Sequence, residues 1–427
     1  MRFRVKLDQT LLAIEMGAKL AFERVETGLV FNPARKDLRA DPHPYYRELR
    51  ERDPIHRSRA ADGWVLSRYR DVAAVLGDRR YSADERNLRR WAAMMRRREH
   101  AGLPDPYAEE RASMLRLDAP DHTRLRSLVG KAFTPRAIER MRERIAGLVG
   151  ELLGRFSPGE PMELIADFAS PLPVTIIAEM LGVPAEDHAR FRHWSDEAIR
   201  TLGEGGIEDH RRAEAAMVEL GEYLMAVADE RRRAPREDLL TGLVQAEEQG
   251  DHLRDGELAT LCVLLLVAGN ETTTKLVANS TVALLRNPGQ LDLLRREPKR
   301  IAGAVDELLR YDGPVQLTSR MVLEDGELEG RPLRRGQQLV LMLAAANRDP
   351  EQFAAPDRLD VTRENVRHLA FGQGAHFCLG AQLARLETTL ALEGLLARFP
   401  GLAFGDAPIV WGDNTVLRGP TRLPLVL

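Results

Sequence analysis

The chain has two cysteines in 427 residues, Cys262 and Cys378, and neither belongs to a CxxC pair. That excludes a disulfide framework and a closed zinc site built from thiols, and it suits a reducing cytoplasm. An excess of one charge is also missing: 62 Lys and Arg stand against 65 Asp and Glu. No basic footprint therefore marks a nucleic-acid partner. Long apolar runs are absent too. The best, Leu261–Gly269 (LCVLLLVAG), falls well short of the ~20 residues that a transmembrane helix needs. No GxGxxG turn joins a strand pattern to a helix pattern, so a fused dinucleotide domain is not expected. No Gly/Ser-rich or Pro-rich hinge divides the chain. Length alone would allow about three domains, but the pattern reads as one.

What is present is an ordinary globular composition, 44% hydrophobic and 30% charged. Near the N-terminus Leu11, Ile14, Ala18, Phe22 and Val25 share one helix face, with Asp8 as a candidate cap. Glu15 and Lys19 interrupt the apolar centre, which argues against a signal peptide. This helix is expected to pack on its own domain rather than lie in a membrane interface. Strand patterns occur at Pro54–Arg57 and, after Asp62-Gly63, at Trp64–Leu66. Helical patterns dominate from about Thr134 to Arg310. Strand-like stretches return from Val315 to Leu343 and from Val410 onward. The fold class is mainly α with small β-sheets, as one domain over 32–427 behind an N-terminal extension, 1–31.

The longest helical pattern starts near Asp255 and stops at Asn287-Pro288. Roughly thirty residues at 1.5 Å each span ~45 Å, enough to cross a whole domain. Leu258, Leu261, Cys262 and Leu265 form a buried stripe, and Cys262 within it reads as a core residue. Ala268–Thr274 (AGNETTT) then places a glycine, an acid and three threonines mid-helix. Glycine costs ~1 kcal/mol there, and threonine hydroxyls can bond back to earlier carbonyls and bend the axis. Two readings follow: a polar face at a local kink, or a widened turn beside a bound group where Glu271 and Thr272 handle protons.

Phe371–Gly380 (FGQGAHFCLG) sets Cys378 among glycines just before a helical pattern with Leu383, Leu386 and Leu390 on one face. Glycines at 372, 374 and 380 permit close backbone approach to a flat ligand. A helix N-terminus favours a thiolate, which serves as nucleophile, redox centre or metal ligand. His376 is the nearby base for a nucleophile, but nothing else in the sequence supports a cysteine-enzyme triad.

FGQGAHFCLG matches every specified position of FGxGxHxCxG, the cysteine-ligand loop of the cytochrome P450 family. Other marks of that family follow in order. Asp118–Arg126 (DAPDHTRLR) resembles its DPPxHTRLR region, Ala268–Thr272 its AGx(D/E)T segment and Glu307–Arg310 its ExxR helix. Asn347–Pro350 and Pro356–Leu359 resemble its NRDP and PxRF segments, with Leu359 where phenylalanine is usual. ExxR alone says little, since Glu139–Arg142 and Glu364–Arg367 fit it as well. The chain resembles bacterial cytochromes P450 from about Asn32 to its C-terminus.

The resemblance implies haem b (iron protoporphyrin IX) held between the long helix and the helix after the cysteine loop. It makes Cys378 the iron's thiolate ligand and Phe371 the cover of its sulfur. Gly372 and Gly380 in the loop, and Ala268 and Gly269 on the long helix, are then expected at the cofactor. His122, Arg126, Arg320 and His376 are expected at the propionates, and Glu307, Arg310 and Arg358 form a structural triad. Glu271 and Thr272 relay protons to dioxygen. The implied enzyme is a monooxygenase that hydroxylates or epoxidises a mostly apolar molecule such as a steroid, terpenoid, macrolide or fatty acid. A peroxide-driven peroxygenase and a non-catalytic haem- or ligand-binding relative are the alternatives, and the intact Glu271–Thr272 pair counts against both. Electrons would come from a separate ferredoxin or flavodoxin with its NAD(P)H reductase, docking on an arginine-rich cysteine side. By position the substrate pocket takes Trp91, Val267, Ala268, Val315, Gln316, Leu317 and Val416. The lid segment, 84–110, sets Leu88, Trp91 and Met95 at helical spacing among six arginines from Arg86 to Arg98. It reads first as a solvated amphipathic helix, and second as an attractor for an anionic substrate or an acidic carrier protein.

Overall fold

A computed structural model describes residues 2–427 except 101, 109–111, 131–132, 200–206 and 249–250, with the backbone only at 2–14, 199, 207, 247–248 and 251. The long helix runs Asp255–Arg286, the span its pattern predicts, and continues without a break through Ala268–Thr274. The Glu257 carboxylate accepts from the Arg254 N–H at 3.0 Å and seals its start. Pro288 opens the next helix and prevents continuation. Leu258, Leu261, Cys262 and Leu266 are buried, while Leu265 sits at the rim of that cluster. Burial pushes the Cys262 thiol up to about 12, as an unreactive core cysteine requires. Among the described residues this is the one helix long and apolar enough to cross a bilayer, and over half of its apolar window is buried inside the protein.

Helices Pro171–Met180, Ile301–Asp312 and Ala381–Arg398 pack around this central helix. A five-stranded sheet flanks them in the order Ile55–Ser58, Gly63–Leu66, Gln338–Leu341, Thr318–Val322, Tyr81–Ser82. All pairings are antiparallel except Gly63–Leu66 with Gln338–Leu341. The predicted strands at 54–57 and 64–66 are therefore one hairpin of this sheet, the first shifted by one residue and the second begun one residue earlier.

The N-terminal helix, Arg2–Thr27, begins before Asp8, so Asp8 lies within it rather than capping it. It does not pack through the apolar stripe. Phe22 is 65% exposed and Val25 87%, Ala18 is exposed too, and the side chains of Leu11 and Ile14 lie outside the described residues. The helix docks through a polar anchor instead. The wholly buried Glu23 carboxylate accepts from the N–H groups of Phe31 (2.6 Å) and Arg59 (2.7 Å), and from the Ser58 hydroxyl (3.2 Å). It also meets His56 Nε2 at 2.9 Å. Burial opposes ionisation of Glu23, but these bonds hold its carboxyl below the usual range.

Only one of the three ExxR matches has the burial that a structural role demands. Glu139 and Arg142 pair in solvent, whereas Glu307 and Arg310 are both 0% exposed, joined by bonds of 2.7 and 2.8 Å. Arg310 also donates to the carbonyls of Asn347, Pro356 and Arg358, and Glu307 accepts from the Asp360 N–H. The expected triad needs one correction. The Arg358 side chain is 70% exposed and pairs with Asp360, because its turn presents the carbonyl inward and the guanidinium outward. Arg363 takes the third place, with Nε 3.2 Å from Glu307 Oε2.

A third buried acid lies where the central helix meets Ala381–Arg398. Glu387 is 2% exposed and its Oε1 has no hydrogen-bond partner. Burial pushes its carboxyl up to about 8, against a stabilising bond from Thr273. The unfolded chain ionises it near 4.5, so the folded form binds the extra proton between those values. Stability is then full below pH 4.5 and falls as pH rises towards 8, by up to about 1.4 kcal/mol per pH unit. Glu387→Gln should flatten that fall in urea denaturation at pH 5 and pH 8; an unchanged slope would contradict the assignment.

Candidate cofactor and active site

The loop before Ala381–Arg398 is shaped by its backbone. Gly372 and Gly374 take φ of 68° and 74°. A Cβ on Gly374 would stand 2.5 Å from the Leu76 carbonyl, so only glycine lets the loop press on helix Tyr69–Gly77. The Cys378 N–H donates to the Phe371 carbonyl at 2.9 Å, closing the turn. Asn347 Oδ1 accepts from the Leu369 N–H at 2.7 Å and ties the loop's approach to the Arg310 network. Around Gly380 there is open space where a side chain would stand. The Phe371 ring packs on the core, with the Arg385 guanidinium 4.7 Å from its centroid and the His368 ring at 5.6 Å.

Burial pushes the Cys378 thiol up, opposed by the Gly380 N–H and the charges of Arg126 and Arg385. Burial thus outweighs the helix start that the sequence pattern emphasised. A thiol biased towards its neutral form is not an activated nucleophile, and among the described residues His376 makes no hydrogen bond to it. Coordination to a metal removes such a proton outright, so burial of the thiol is compatible with the ligand reading.

Beside this loop the structure gathers the four expected propionate partners. His122 is buried and its ring stacks on His376 with centroids 4.0 Å apart. Arg126 donates to the Phe377 carbonyl at 2.6 Å, one residue from Cys378. Arg320 is 7% exposed, donates to the Ser319 carbonyl at 2.7 Å and makes no ion pair among the described residues. Burial, then the charges of His122, Arg320 and Arg126, pushes His376 down to about 3, and His122 is lowered likewise. The Asp118 carboxylate acts on His122 and Arg320, and it already accepts from the Ala83 N–H and the Ser82 hydroxyl. A nest of two guanidinium groups, with two imidazoles beside them that can donate N–H groups, fits the two carboxylates of haem.

On the central helix the Thr272 hydroxyl donates back to the Ala268 carbonyl at 2.5 Å, and Ala268 itself is exposed. Gly269, expected at the cofactor, turns its open side elsewhere: a Cβ there would stand 2.7 Å from Ile177 Cδ1. Its role is close packing of the central helix on Pro171–Met180. Two charged residues near Glu271 were not singled out from the sequence. Lys275 Nζ sits 2.7 Å from Glu271 Oε1. Asp196, on helix His188–Ile199, is raised by burial, opposed by Arg192 and reinforced by the Glu271 charge. The i,i+4 spacing of Glu271 and Lys275 was visible, but the burial of that lysine was not.

Of the expected pocket residues, Val267, Val315 and Leu317 are half-buried and Val416 is exposed. Trp91 packs edge-on against Tyr107 at 5.1 Å. Gln316 is not a pocket residue. Its amide donates to the Gly313 and Pro314 carbonyls and its oxygen accepts from the Tyr46 hydroxyl, which commits the side chain within the turn before Thr318–Val322. The lid arginines are mostly bound within the fold: Arg86 to Asp84, Arg89 to Asp62, Arg90 to the Ala60 carbonyl and Gln338, Arg98 to the Pro104 carbonyl and Glu214. Arg96 and Arg97, on helix Trp91–His100, remain exposed, with no hydrogen bond or close ion pair among the described residues; Arg97 lies within electrostatic reach of Glu15.

Residues 206–403 match the family model described as Cytochrome P450. The chain is 40% identical over 399 residues to the cytochrome P450 monooxygenase PikC of Streptomyces venezuelae, covering 91% of this chain and 92% of that one. It superposes with a TM-score of 0.85 on the bacillaene polyketide synthase cytochrome P450 PksS of Bacillus subtilis 168, at 37% identity, covering 93% of this chain and 100% of that one. P450BioI, solved in complex with a hexadec-9Z-enoic acid-ligated acyl carrier protein, gives a TM-score of 0.82 at 35% identity, covering 92% and 99%.

Arg320→Ala should speed haem loss to an apo-globin acceptor by roughly 10- to 100-fold, the size of one lost charged hydrogen bond. An unchanged loss rate would remove Arg320 from the cofactor.

Proposed function

Since the chain belongs to the cytochrome P450 family of haem-thiolate monooxygenases, we propose that its substrate is a largely apolar product of secondary metabolism. A separate ferredoxin or flavodoxin, with its NAD(P)H reductase, supplies the electrons. The observation that carries the site assignment is the joining of the cysteine loop to the cation nest, with Arg126 bonded to the carbonyl beside Cys378.

Bound through Cys378, with His122, Arg126, Arg320 and His376 at its carboxylates, haem supplies reductive dioxygen activation and transfer of one oxygen atom into a C–H or C=C bond. The chain's own groups manage protons and access. The Thr272 hydroxyl, committed as donor to the Ala268 carbonyl, keeps its lone pairs free to accept a hydrogen bond and hold a proton chain in line. Glu271 carries the carboxylate that takes up and releases protons at its Oε atoms. The methyl of Ala268 leaves room beside the helix for a planar group. Val267, Val315, Leu317 and Val416 give the pocket an apolar wall, so burial of apolar area selects the ligand.

A substrate carried on an acidic protein is a second reading. It is favoured by Arg96 and Arg97, left exposed on the lid helix after the other four arginines are taken up within the fold. P450BioI, with its bound acyl carrier protein, is a relative with that habit.

Thr272→Ala should lower product formed per NAD(P)H several-fold and raise peroxide release, because the hydroxyl that orders the proton chain is gone. Unchanged coupling would defeat the proton role. For the carrier reading, Arg96→Ala should weaken binding of an acyl carrier protein about two- to fivefold at low salt and little at high salt. Binding indifferent to both salt and substitution would leave the free apolar substrate.

A further inference from the structure

The central helix holds a buried lysine that the proton chain above does not use. Lys275 is 3% exposed, and its ammonium lies 2.7 Å from Glu271 Oε1, one turn earlier. A lysine in that position loses rotamer freedom and hydration together, so its place has to be built.

The builder is the C-terminal hairpin of Val410–Trp411 and Pro420–Arg422. A Cβ on Gly419 would stand 2.8 Å from both Cβ and Cγ of Lys275 and 3.1 Å from its Cδ. One on Gly412 would come within 3.7 Å of the ammonium. The two glycines face each other across the hairpin, with the Gly412 N–H donating to the Gly419 carbonyl at 3.0 Å. Together they form a slot that takes the lysine stem and aims its charge along the helix at Glu271.

The same hairpin carries part of the pocket wall. The Val416 carbonyl accepts from the Gln316 N–H at 2.8 Å, and Leu417 bridges to Val315. Asp196, on helix His188–Ile199, is a second acid within electrostatic reach of Glu271.

We propose that Lys275 is a positioning residue: seated in the Gly412–Gly419 slot, it fixes the Glu271 carboxylate in the orientation from which protons reach Thr272. The proposal rests on the reading of Glu271 as the proton-handling acid. It makes the hairpin a link between the pocket wall and proton supply, with no contact of its own to the reacting atoms.

The test compares Glu271→Gln, Lys275→Met and Gly419→Ala by coupling, by substrate affinity from ligand-induced spectral shifts, and by crystal structures showing the Glu271 rotamer. Lys275→Met keeps the stem and removes the charge. It should turn Glu271 away from its present orientation and lower coupling several-fold, with substrate affinity held within about twofold. Gly419→Ala pushes the stem without touching a charge and should act in the same direction; it also serves if Lys275→Met does not fold. Full coupling or an unmoved Glu271 in both variants would overturn the proposal. If Glu271→Gln itself stays coupled, the proton reading of Glu271 fails and the proposal falls with it. Uncoupling in Glu271→Gln alone would sink only the role of Lys275. A purely structural lysine would lose stability and substrate affinity while keeping coupling.

Discussion

Arg310 reaches Glu307 at 2.7 and 2.8 Å with both side chains wholly out of water, and what surrounds the pair determines where the cysteine loop lies. Two charges so placed are stable only if their remaining donors and acceptors are met, because breaking such a pair by removing one partner costs about 3–5 kcal/mol. The partners are backbone groups of 347–360: three carbonyls on the guanidinium and one N–H on the carboxylate. A segment without regular structure is thereby fixed as firmly as a strand. Asn347 passes the constraint on through its side chain to Leu369, nine residues before Cys378.

The site built on that frame is an imbalance. One side gathers His122, Arg126, Arg320 and His376 near the already bonded Asp118 carboxylate. Close by, burial pushes the Cys378 thiol up. Haem would answer both, with Cys378 to hold its iron and the arginines to meet its two carboxylates. Distally, charge is balanced within the chain, since Glu271 has its own lysine.

Much of this was legible in the sequence, for reasons that differ by element. The central helix was legible from its long apolar periodicity and from Asn287-Pro288, which stops it, whereas the Glu257 cap at its start was seen only in the structure. The cysteine loop was legible because it matches a family motif at every specified position, while its residues read alone left nucleophile, redox centre and metal ligand open. What failed was whatever depends on which way a side chain turns in the assembled fold. Arg358 and Arg363 are both arginines near Glu307, and only the turn decides that one faces out. Gln316 follows the same rule in the turn before Thr318–Val322. At the N-terminus an apolar stripe suggested packing, but Glu23 had a richer set of donors to satisfy and set the helix's roll. The lid arginines looked like one electropositive field, and ion pairs from distant segments reduced it to two residues. Lys275 was passed over because burial of a charge is a tertiary fact.

The central claim is that Cys378 binds the iron of haem through its sulfur. The most direct measurement is a reduced carbon-monoxide difference spectrum of the purified protein beside its Cys378→His variant. A strongly red-shifted Soret band in the wild-type protein that vanishes in the variant is the predicted result. A haem-loaded wild-type protein with an unshifted band, or a shifted band that survives the substitution, would contradict it.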